Sequence, residues 1–82
     1  MKTLEQRFES ILGELSRSLT VADVDQIREL VNAGELGVAL ENFCTQLLER
    51  DAVCSRDQIF QIALIGEAMG IKADYWRSLA AL

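Results

Sequence analysis

No proline occurs anywhere in the 82 residues, and glycine occurs only five times. Both residues are penalised in helix interiors, and strand-rich folds of this size need more turn chemistry than five glycines supply. The chain is therefore expected to be all-α, a small single-domain helical bundle of four to five helices over residues 1–82. A chain this short builds one modest core and buries roughly 60% of its unfolded surface, which leaves no room for a second domain.

The apolar positions carry the same period. Leu4, Phe8, Ile11, Leu12, Leu15 and Leu19 recur at three-to-four spacing after Thr3 and form one stripe of a first helix, with Gly13 lowering its helicity. Thr20 followed by Asp23 is an N-cap arrangement, opening a second helix from about Val21 to Ala33 whose core face is Val24, Ile27, Leu30 and Val31. Gly34 stops that helix, because glycine takes the left-handed conformation that closes a C-terminus, and residues 32–35 read as the tight turn of an αα-hairpin. A third helix, about Leu36 to Arg50, turns Leu36, Leu40, Phe43, Cys44, Leu47 and Leu48 inward and leaves Glu41, Thr45 and Glu49 on another side. Ser55 with Gln58 is a capping-box pattern opening a fourth helix, Arg56 to Met69, closed by Gly70. That helix is apolar around most of its circumference, so it is either central or has a face covered by something else. A last helix, about Ala73 to Leu82, carries adjacent Tyr75 and Trp76. Neighbouring helical residues point about 100° apart, so one of the two is expected in the core and the other half exposed as an anchor for a partner.

Catalytic equipment is sparse. Histidine is absent, which removes the usual neutral-pH general base and the commonest metal ligand together. Cys44 and Cys54 form no CxxC pattern and a catalytic thiol would lack its histidine; the expectations are a small buried apolar residue at 44 and a reduced loop thiol at 54. Neither a GxxxxGK[ST] nor a GxGxxG phosphate loop occurs. No enzyme activity and no cofactor are expected. No apolar run approaches the ~20 residues that span a bilayer, and MKTLEQRFES places charges where a signal peptide keeps an apolar stretch, so the expected location is cytoplasmic, without membrane contact.

Charge is the more informative remainder. The net charge of −5 is uneven: residues 1–34 carry −2, residues 35–57 carry −3 and residues 58–82 are neutral. A negative surface repels phosphate backbones, which disfavours direct nucleic-acid binding despite helix-turn-helix-like spacing. A basic protein is the natural complement, since an acidic helical module steers onto such a partner and can cover its cleft. The carboxylates that fit this role are Asp25, Glu29, Glu35 and Glu41. Each also has a plainer reading: Asp25 and Glu29 as a mildly self-repelling solvated edge, Glu35 as a favourable charge at the start of the third helix.

The order LTVADVDQIRELVNAGELGVALENFCTQLLERD, followed by the fourth helix, MGI and YWRSL, resembles the small helical immunity proteins of the MafI type, found beside secreted polymorphic toxins and contact-dependent inhibition systems in bacteria. The resemblance covers roughly residues 19–79 and is most specific from Asp25 to Leu48, where N-A-G-E-x-G-x-A-L-E-x-x-C lies on the hairpin. It implies an immunity protein that binds a cognate toxin C-terminal domain, commonly a nuclease, and no catalytic residues. Two rival readings come from other classes. One is an antitoxin-like regulator touching DNA, which eight scattered Lys and Arg residues do not favour; the other is a homodimerisation module that buries the spare apolar face of the fourth helix by symmetry.

Overall fold

The computed structural model describes residues 1–81. Among them are five α-helices: α1 (Leu4–Leu15), α2 (Val21–Asn32), α3 (Leu36–Glu49), α4 (Arg56–Ala68) and a single-turn α5 (Asp74–Arg77), with a 3-10 turn over Ser16–Ser18. Helices α1, α2 and α4 begin alike. Thr3, Thr20 and Ser55 each accept the backbone N–H three residues on, and Gln6, Asp23 and Gln58 reach back to the cap residue's own N–H. These reciprocal bonds satisfy donors that a helix start otherwise leaves unpaired.

The ends of α2, α3 and α4 are also alike. At each, a left-handed residue (Gly34, Asp51, Gly70) lets the next N–H reach back to the carbonyl of the third-last helical residue: Glu35 to Leu30, Ala52 to Leu47 and Ile71 to Gly66, all at 2.9 Å. Glycine makes two of these stops free of strain. Asp51 makes the third at φ 52°, a conformation that short polar side chains tolerate better than others.

The turn at residues 33–35 folds α2 back on α3, and α1 packs chiefly on α4; α3 touches α2, α4 and α5 and so stands at the centre. Its Leu40, Phe43, Cys44 and Leu47 are buried against Phe8, Ile11 and Leu12 of α1, Ile27 of α2 and Ile62 and Ile65 of α4 in one continuous core. The Phe8 and Phe43 rings, 5.5 Å apart and tilted by 42°, join α1 to α3. The radius of gyration, 11.3 Å, is close to the ~12 Å of a globule of this length.

Four expectations need correction. The last helix does not run from Ala73 to Leu82: it is one turn long, and residues 80–81 (β2) instead pair in parallel with Val53–Cys54 (β1); Leu82 lies outside the described residues. That pairing puts Cys54 in the core and not in an open loop. Leu48 is 49% exposed, because the core side of α3 is centred on Leu36, Leu40, Phe43 and Leu47, more than a quarter-turn away. The first helix ends at Leu15, so Leu19 follows the 3-10 turn in extended backbone and is not part of that helix, though it still packs against the core.

The C-terminal segment is held by Trp76. It is 6% exposed and lies against the bare backbone of Gly66 in α4, where a Cβ would stand 2.2 Å from the indole Cζ3 and 2.5 Å from Cη2. Gly66 is thus a notch cut into α4 for the indole, at the cost in helix propensity that a mid-helix glycine carries.

Candidate partner-binding surface

Asp25 and Glu29 lie one turn apart on α2, on the side away from the buried Val24, Ile27 and Val31, and both are exposed. Glu35 is exposed at the hairpin turn, where it begins α3 without a side-chain capping bond. These three carboxylates project from one end and the outer side of the hairpin, as its amphipathic pattern implies.

Glu41 does not join them. On α3 it shares its flank with Gly37, Thr45 and Leu48, which sit four and seven residues away. Gly37 faces Ile71 and Met69, with an added Cβ falling 3.4 Å from Ile71 Cδ1, and Thr45 and Leu48 border a hollow with Asp74 and Tyr75. This flank turns toward the C-terminal segment, away from α2. The hairpin is antiparallel as required, yet the rotation of α3 about its axis carries Glu41, half buried, to the other side.

A further pair of carboxylates lies beside α2. Glu5 and Glu9 of α1 border a groove with Val31 and Asn32 of α2, and Glu9 Oε2 lies 3.5 Å from Arg28 Nε. Both partners of that ion pair are substantially exposed, so it aligns α1 beside α2 more than it stabilises. Lys2 lines the same groove and Arg28 pairs with Glu9, so the α1 side of this surface is mixed in charge and not a continuation of an acidic row. The sequence signal for Glu5 and Glu9 is their spacing, four residues apart and off the apolar stripe of the first helix. The surface is bounded near Asp25, which borders a second hollow together with Arg17 and Arg28.

Asp23 is acidic but turned inward. Its carboxylate accepts the Thr20 N–H at 3.1 Å and the Arg50 Nε–H at 3.2 Å, and its pKa is held below the usual value, first by the Thr20 bond and then by Arg50, against the opposing effect of desolvation. It fixes the start of α2 to the end of α3.

Of the two aromatic candidates, Trp76 is buried and offers a partner nothing. Tyr75 is half buried beside the exposed Leu48, giving a small apolar surface on the flank that also holds Glu41. The chain thus presents two separate faces, one with the exposed carboxylates of α2 and the turn, and one around Leu48 and Tyr75.

Neither thiol is activated. Burial, with a smaller contribution from the neighbouring Cys54, pushes the Cys44 pKa up to about 12, and burial raises that of Cys54. The described residues hold no group of three or more His, Cys, Asp or Glu side chains able to share a metal ion, and no helix long and apolar enough to cross a membrane. Comparison with protein-family models, with curated proteins and with solved structures returns no match.

Proposed function

We propose that the chain is an immunity protein of the kind it resembles, binding a cognate toxin C-terminal domain, a basic nuclease, and excluding substrate from its cleft. The observation that supports the reading is the outward pair Asp25 and Glu29, away from the core face of α2, with Glu35 exposed at the turn that follows. Such a pair is mildly self-repulsive and adds nothing to the packing of α2, whereas a cationic cleft would be attracted to it and neutralise it on contact. It also lies on the hairpin stretch that carries the immunity-protein pattern. In this reading the chain works in the producing cell by occlusion alone and needs no cofactor.

The test is protection. The C-terminal domain of a large secreted protein encoded directly upstream should arrest growth when expressed alone and be tolerated when this chain is co-expressed. Asp25→Lys with Glu29→Lys should abolish protection while leaving the far-ultraviolet circular dichroism unchanged, and Glu41→Lys should protect like the parent. Full protection by the Asp25/Glu29 variant would remove the acidic face from the mechanism and move the interface to Leu48 and Tyr75.

A further inference from the structure

The outer face of α4 has a second property. Phe60 is 58% exposed and Leu64 38% exposed, one turn apart on the side opposite the buried Ile62 and Ile65. Arg56 and Glu67 stand eleven residues, three turns, from one another and so share one flank of this apolar pair; Asp57 and Ala68 share the other flank by the same spacing. All four are exposed, and neither Arg56 nor Glu67 forms an ion pair among the described residues.

We infer that this face is self-complementary and docks a second copy of the chain, α4 against α4, antiparallel about a two-fold axis. A two-fold axis lying in the contact plane reverses the helix direction but keeps each flank against the same flank of the other copy. Arg56 then meets Glu67 of the second copy, twice over, while Phe60 packs on Leu64 of the second copy, also twice. Asp57 meets Ala68 and no carboxylate. A parallel two-fold would exchange the flanks, setting Arg56 on Asp57 and Glu67 on Ala68, with the two helix dipoles side by side in the same sense; the antiparallel one opposes the dipoles and is the one that pairs Arg56 with Glu67.

The contact is small. Phe60 and Leu64 together offer roughly 200 Å² of apolar side chain per copy, well under the ~800 Å² per partner of a standard interface. Each copy also carries a net charge of −5. The dimer is therefore a weak one, formed at high protein concentration and at physiological ionic strength, where repulsion beyond about 8 Å is screened while the contact pairs persist. It rests on α4 alone and is independent of the toxin-binding reading.

Sedimentation equilibrium up to about 1 mM protein reads it directly. The parent should show reversible monomer–dimer behaviour, and Phe60→Gln should remain monomeric. Arg56→Glu and Glu67→Arg should each weaken dimerisation about tenfold or more, since every substitution acts twice across the axis, and the double swap should restore it. Both single reversals place a charge favourably on the dipole of α4, so unfolding does not explain a loss of association. A parent that stays monomeric throughout, single reversals that dimerise like the parent, or a double swap as weak as the singles would each overturn the inference.

Discussion

Replacing Gly66 by alanine tests how the C-terminal segment is held. In an ordinary helix the change should stabilise by about 1 kcal/mol, because alanine costs less backbone entropy. Here the new methyl would lie 2.2, 2.5 and 3.1 Å from three carbons of the Trp76 indole, where unstrained contacts begin near 3.4 Å. The ring must withdraw by more than an ångström. Sliding within its site costs about 1–3 kcal/mol, as overpacking generally does; complete undocking approaches the 3–5 kcal/mol typical of losing a buried tryptophan. Set against the propensity gain of about 1 kcal/mol, the net destabilisation should be up to about 2 kcal/mol if the ring slides and about 2–4 kcal/mol if it undocks. Urea unfolding followed by circular dichroism measures it. Trp76 is the single tryptophan, so its emission reports the ring separately and should shift to longer wavelength. In a Trp76→Leu background the cost of Gly66→Ala should largely vanish, since the pair then no longer collides. A Gly66→Ala protein as stable as the parent, with unshifted emission, would refute the notch-and-indole account.

Three further outcomes follow from the structure. Asp51→Gly should raise stability by up to about 1 kcal/mol in the same unfolding assay, because it relieves the left-handed conformation that closes α3. On the acid side, the carboxyl of Asp23 is depressed from 3.8, so its contribution is present above that pH and is lost as pH falls through it; the stability of Asp23→Asn should vary less with pH than the parent's below about pH 4. On the alkaline side, Cys44 is raised from 9.0 to about 12, so stability should fall as pH climbs from 9 toward 12, and at neutral pH neither thiol should react with a disulfide reagent until the chain unfolds.

The fold was legible where one helix decides its own limits. Thr20 with Asp23, Ser55 with Gln58, and the stops at Gly34 and Gly70 all mark real boundaries, because capping is a local contest over a few backbone groups. Boundaries set by distant partners were not. Ala73 to Leu82 reads as one helix, yet Ala80 and Ala81 pair with Val53 and Cys54, which also draws Cys54 inward. Nothing local marks Gly66 in the sequence, and its meaning appears only when Trp76, ten residues away, comes to rest on it. The same division holds for the surface. Periodicity alone turned Asp25 and Glu29 outward, but which helix flank continues that face depends on the rotation of α3 and the approach of α1. Glu41 accordingly lies on the flank of Thr45 and Leu48 and not beside Asp25 and Glu29.

The central claim, that the outward carboxylates of α2 meet a basic cleft, is tested most directly by association kinetics with the purified upstream-encoded toxin domain, read with inhibition of its nuclease activity. A one-to-one complex should form and abolish cleavage, with association slowing steeply as salt rises. Asp25→Lys with Glu29→Lys should cut the association rate by about tenfold or more at low salt, and Glu41→Lys should leave it unchanged. A complex that forms at the same rate with and without those two carboxylates, or a nuclease that still cleaves when saturated with the chain, would contradict the account.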